Sequence, residues 1–410
     1  MASTSEPELV LVDPDGDLIL KVGNEPSIVE ENENKPQDSD VDSEIARQKV
    51  KENRKPRFLR IRVCSKFMTM SSPVFKAMLN GSFREGQLPL SPIEPPTLEL
   101  PEDEPKPMVE LCKIFHHKWD TDLDTDLKVF PSCVLPTAVA ADKYGCTAIV
   151  RSWFHHQFLK RSARARKGSA LSLAQFVSIA YILDDVEAFY FFSLQASKRW
   201  CLNGKENNAF ISELSHNHVP SKIHELLERI AKAQLRETMT CCQKVIEELF
   251  TAEEGSSASS TIHSYIGAKA SDAEVPKVCI GQAYRTAQFI QALIMFDLWP
   301  PLGDVQQLQS LEDAIEVVQE IGKTHVNDKP SQCQAEYCDS CAMDWGLVIG
   351  DRFKKFENGL HGLCLVCLKK GKELPASKIT TKCIEHNHGF TSNWAAISDW
   401  DGKYQPKQKW

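Results

Sequence analysis

The chain has 410 residues, too long for one hydrophobic core and pointing to two or three domains. Its 42% hydrophobic, 25% charged and 8% aromatic content is that of a globular protein and excludes the disordered, collagen-like and membrane-embedded classes. With 56 acidic against 48 basic side chains the net charge is −8, which repels nucleic acid, so no nucleic-acid partner is expected.

Residues 1–12 are expected to be an N-terminal tail, and its start, Met1 to Pro7, is small, polar and acidic without the basic start and apolar run of a secretory signal, which predicts a cytoplasmic or nuclear protein with reduced thiols. Asp13-Pro-Asp-Gly-Asp17 is a turn, and Leu18-Ile-Leu-Lys-Val22 before Gly23 is a strand. A calcium loop would need Gly and Glu where Leu18 and Asn24 stand. Residues 24–55 are acidic and polar with almost no large apolar side chain, which predicts a disordered insert. Phe58-Leu-Arg-Ile-Arg-Val63 alternates apolar and basic residues, the pattern of a half-buried strand.

Ser72-Pro73 with Val74, Phe75, Met78 and Leu79 at helical spacing predicts a short helix, Ser72 its N-cap and Gly81 its exit. Thr97-Leu-Glu-Leu100 is a short extended piece, and Pro107 is expected to open a helix carrying Met108, Leu111, Cys112, Ile114 and Phe115. Residues 134–144 and 149–159 predict a helix pair broken at Gly145, closed by the basic run 160–167, whose cations suit a helix end. From Leu171 the pattern is helical, giving a helical domain over 170–325. The most apolar stretch, 289–301, is interrupted by Gln291 and Asp297 and falls short of the roughly 20 residues that cross a bilayer, so no membrane is expected.

In wording and order, Asp13-Pro-Asp-Gly-Asp-Leu18, Val63-Cys-Ser-Lys66, Ser71-Ser-Pro-Val-Phe-Lys-Ala-Met-Leu79, Phe83-Arg-Glu-Gly86, the Leu-Pro-Glu-Asp-Glu run within 98–105 and Ala141-Asp-Lys-Tyr-Gly-Cys146 resemble the fungal BTB/POZ domain family. The resemblance covers about residues 13–160, and the acidic insert departs from the family's usual short connection. It implies an α+β fold, a small sheet flanked by helices, acting as a protein-interaction module that forms a homodimer or docks another protein. Cullin-binding members use a hydrophobic-x-Glu motif near the end of the Ser-Pro-Val-Phe helix, matched by Phe83 and Glu85. The resemblance therefore also implies an alternative role, a substrate-recruiting adaptor of a cullin-type ubiquitin ligase. Read without it, Phe83 is a core-closing aromatic and Glu85 a solvated charge. The strand at 18–22 and the helix at 73–79 are further candidate contributors to a partner face, although most of their side chains suit the core.

Six of the fourteen cysteines crowd into the last eighty residues. Cys338-x-x-Cys341 and Cys364-x-x-Cys367, with Cys383 and His386 beyond, predict a Cys/His-rich structural zinc segment over 333–390, ahead of a tail at 391–410. Tetrahedral zinc takes four such ligands, and the lysines at 369, 370 and 372 offset a four-thiolate charge. Cys333, His361 and either of His386 and His388 could complete a second site, and reduced cysteines beside Leu365 and Val366 also suit a buried core. The segment around His361-Gly-Leu-Cys-Leu-Val-Cys367 also resembles a carboxy-terminal piece of the same fungal group.

No glycine-rich phosphate loop, dinucleotide fingerprint or nucleophile elbow is present. The pairs His116-His117 and His155-His156 point to different helix sides, so a non-catalytic protein is expected.

Overall fold

The computed structural model describes residues 8–24, 58–81, 83–119, 130–165, 170–201, 207–217, 219–251, 280–299, 310–323 and 345–370. The fold is α+β, a small four-stranded sheet with many helices, and the chain divides into two compact units between Asp185 and Val186. Of the acidic insert expected over 24–55, all but residue 24 lies outside the described residues. Among those residues no helix is long and apolar enough to cross a membrane.

In the first unit, β1 (Leu9–Leu11), β2 (Leu18–Gly23), β3 (Phe58–Val63) and β4 (Thr97–Leu100) form the sheet in the order β1-β3-β2-β4. Strands β2 and β3 pair antiparallel, while β1 on β3 and β4 on β2 are parallel. Leu18, Leu20, Val22, Ile61 and Val63 are fully buried. The turn before β2 needs glycine, because a Cβ on Gly16 would overlap the Val63 carbonyl. Arg62 Nε donates to the Gly16 carbonyl at 2.9 Å, and Asp17 takes the Ser65 N–H and hydroxyl at 2.7 Å each. The aspartates of this turn thus serve backbone and hydroxyl donors.

The helices of this unit are α1 (Ser65–Ser71), α2 (Pro73–Asn80), α3 (Pro105–Phe115), α4 (Phe130–Lys143), α5 (Thr147–Ala165) and α6 (Ala170–Ile182). Ser72 caps α2 as its sequence predicts, accepting the Phe75 N–H at 3.1 Å, and its hydroxyl donates to the Tyr144 carbonyl at 2.7 Å. One side chain therefore starts a helix and ties it to the end of α4. Phe75 is fully buried and stacks on Tyr144 with centroids 4.5 Å apart. Gly145 breaks α4 from α5 at φ +64°. Gly81 ends α2 in extended backbone. Helix α3 starts at Pro105, two residues before the expected Pro107, since proline also fits the first helical position. Helix α6 packs on α4, so the first unit includes a segment that the sequence pattern groups with the helical domain.

The second unit holds α7 (Val186–Lys198), α8 (Asn207–His216), α9 (Lys222–Thr251), α10 (Ile280–Met295), α11 (Leu311–Lys323), α12 (Trp345–Gly359) and α13 (Leu365–Lys369). Along α9 the buried residues Ile223, Leu227, Ile230, Leu235, Met239 and Cys242 recur every three to five positions and make one stripe. Phe289, Leu293, Val318, Ile349 and Phe353 from α10, α11 and α12 complete the core around its C-terminal half.

Candidate docking surface and thiol knuckle

Phe83 stands just after α2, ahead of the 3-10 turn Arg84–Gln87. The Gly86 N–H donates to the Phe83 carbonyl at 3.0 Å, and a Cβ on Gly86 would overlap the Gly81 carbonyl. Two glycines thus let the chain fold back on itself tightly. Phe83 is left 60% exposed, and Glu85 on the same turn is half-buried. On α1, which packs against α2, Phe67 and Met70 are 41% and 74% exposed. They are three residues apart and share a helix face. Lone exposed apolar residues are ordinary, but three large ones on consecutive packed elements can bury against a partner. The sequence reading did not single out Phe67 or Met70. By contrast, Leu18, Leu20, Val22, Phe75 and Leu79 fill the core and present little to a partner.

A cavity of about 510 Å³ opens elsewhere on the first unit. Its apolar wall includes Val10, Leu59, Pro107, Val109, Val134 and Trp153, with Glu8, Glu104, Lys106 and Glu110 also on its lining. Glu110 is engaged by Lys113 at 2.9 Å, and the buried Trp153 indole N–H has no hydrogen-bond partner. The lining comes from five separated stretches of chain, which is why no local motif announced it.

Of the histidines weighed for chemistry, His116 is buried where α3 ends. Its Nδ1 lies 2.7 Å from the Cys112 carbonyl and its Nε2 accepts the Cys64 N–H at 3.0 Å. Nδ1 therefore carries the proton, and both nitrogens are used for structure. Burial lowers the His116 pKa, partly offset by the Cys112 carbonyl and Asp13. Burial likewise raises the Cys112 thiol and pushes Cys146 up to about 12, so both remain protonated and inert. Adjacent His117 lies edge-on to Trp119, away from its neighbour's bonds. His155 Nδ1 is 3.2 Å from Asp185.

The sequence-predicted zinc ligands divide. Cys338, Cys341, Cys383 and His386 lie outside the described residues. Cys364 and Cys367 are described, 5% and 3% exposed, at the start of α13. Cys364 is the N-cap of that helix, and its sulfur accepts the Cys367 N–H at 3.4 Å. Both thiols thus belong to one tight turn, as a C-x-x-C knuckle requires. His361 is buried, and its Nε2 has no hydrogen-bond partner. Among the described residues no three His, Cys, Asp or Glu side chains group closely enough to hold a metal ion. Compared with known proteins, the chain matches no protein-family model, no curated protein and no solved structure.

Proposed function

We propose that the chain is a non-catalytic protein-interaction protein of BTB/POZ type, active in the cytoplasm or nucleus, whose first unit docks a second copy of itself or another protein. The observation that carries this reading is the exposed aromatic Phe83, on a turn closed by Gly81 and Gly86 that packs on α2, as does α1, which exposes Phe67 and Met70. Burying such side chains across an interface supplies the free energy of association. Size exclusion with light scattering tests it. The wild-type chain is expected at twice the chain mass, and the double variant Met70→Asp, Phe83→Asp at the monomer mass. A wild-type monomer at micromolar concentration would sink the self-association.

The alternative reading, an adaptor of a cullin-type ubiquitin ligase, is favoured by exposed Phe83 and half-buried Glu85 standing together at one short turn. Mixing the full chain with a purified cullin amino-terminal domain is expected to give a complex that Phe83→Ala weakens about tenfold or more, the scale of a central interface aromatic. No complex at micromolar concentration eliminates the adaptor.

In the same proposal Cys364 and Cys367 hold structural zinc together with ligands from the other cysteines of the tail. Metal analysis of the native chain checks this, and zinc below about half an equivalent per chain ends it.

A further inference from the structure

We propose that the free edge of β1 and the cavity beside it form one binding site for an extended segment of another protein, which adds to the sheet, places a large apolar side chain in the cavity and carries Lys or Arg next to it. The inference rests on the docking reading of the first unit and adds a second surface, with the chemistry of its occupant. Among the described residues β1 is an outer strand of the sheet, paired with β3 alone. The Arg60 N–H donates to the Glu8 carbonyl at 3.2 Å and the Val12 N–H to the Arg62 carbonyl at 3.1 Å, so the even-numbered residues of this stretch turn their backbone groups toward β3. Leu9 and Leu11 therefore turn theirs to the free edge, the template on which a further strand pairs.

The side chains around this edge say what such a strand carries. Register sets Val10 opposite Ile61, so Val10 shares a sheet face with Leu59, and both line the cavity, whose other walls come from α3, α4 and α5. A strand laid along β1 sends every second side chain to that same face, and about 510 Å³ is ample for a large apolar one. The alternate side chains meet Leu9 and Leu11, 46% and 53% exposed on the opposite face. Among the described charged residues on the cavity lining, Glu8, Glu104 and Glu110 are acidic and Lys106 is basic, and Glu8 and Glu104 are exposed. This balance favours a cationic occupant. A second copy's β1 is the wrong one, because it brings its own Glu8 and, just beyond the strand, Asp13 against an acidic lining.

The test selects binders of the full chain from a random library of short peptides. The selected peptides are expected to carry a large apolar residue beside Lys or Arg, and to slow alkylation of Cys133, an exposed thiol on the cavity lining, as read by mass spectrometry. Leu9→Pro removes an edge-facing N–H and spares the bonds to β3, as proline on an edge strand allows, and is expected to weaken a selected peptide about fivefold or more. Glu8→Lys combined with Glu104→Lys, both at exposed positions, is expected to turn the preference toward acidic peptides. No enriched peptide, selected peptides without Lys or Arg, unchanged binding to Leu9→Pro, or an unprotected Cys133 each overturns the site. Light scattering on the same variants separates this outcome from the docking reading. A wild-type dimer that selects no peptide leaves that reading standing, whereas a dimer that Leu9→Pro splits gives the edge to a second copy and overturns the peptide site. A chain that neither dimerises nor selects a peptide overturns both.

Discussion

The two units tie their polar anchors over different lengths of chain. In the first, the bond from Ser72 to Tyr144 joins residues 72 positions apart, and those from Ser65 to Asp17 and from Cys64 to His116 span 48 and 52. In the second, Arg199 pairs with Glu312 across 113 positions, Gln234 reaches His361 across 127 and Leu363 reaches Ser193 across 170. The anchors of the first unit span shorter stretches of chain, whereas the second is closed by its last described segment. Loop closure makes such distant contacts slow to form, so the second unit is the one whose integrity depends on its carboxy-terminal end.

The largest expected effect breaks the first unit alone. Phe75→Ala removes a fully buried ring stacked on Tyr144 and is expected to cost about 4 kcal/mol. Segment-resolved hydrogen exchange should then show α2 and the sheet losing protection while α9 keeps it. Loss in both places would mean that the units do not fold independently. Gly362→Ala is the mirror experiment, expected to cost about 2 to 3 kcal/mol by overpacking against α7, with exchange rising in α7 and α9 and unchanged in β2 and β3. Ordinary stability in this variant would show that residues 360–363 are dispensable to the second unit.

The smallest effect sharpens the comparison through pH. Burial holds the folded His116 pKa below the ordinary 6.5, so the unfolded chain binds the extra proton more readily. Its contribution is therefore present above about pH 6.5 and is lost as pH falls through the lowered folded value. Protonation also places a second donor against the Cys64 N–H. Acid titration of stability should show this loss in the first unit, and His116→Gln should flatten that limb of the curve. An unchanged limb would assign the acid sensitivity elsewhere.

Much of the first unit was legible in the sequence because its signals are short-range. Ser72, Pro73 and the apolar spacing of Phe75 and Leu79 specify α2 from eight consecutive residues. Strand β1 was missed, being three residues long and only partly covered. Helix α1 was also missed, since Cys64 offers no side-chain cap bond and the run Phe-Met-Thr-Met mixes strand and helix preferences. Helix α7 hides for the opposite reason: Ala188 to Ser193 are all buried, so no period of 3.6 survives. For the knuckle, spacing supplied the pair of thiols, but nothing local to Cys364 announces that its neighbours are held by Ser193 and Gln234. The cavity around Trp153 was invisible for the same reason, as its wall is assembled from stretches up to 145 residues apart, Glu8 to Trp153.

The threading of residues 360–363 along α7 has a consequence for synthesis. A ribosome delivers the chain from its amino terminus, so all the described core residues of the first unit have emerged once Asp185 has. Helix α7 follows at once, yet the peptide that occupies its Ser193 and Tyr190 surface is translated 170 residues later. At the roughly 5–20 residues per second of translation, that surface waits on the order of ten seconds or more for its cover.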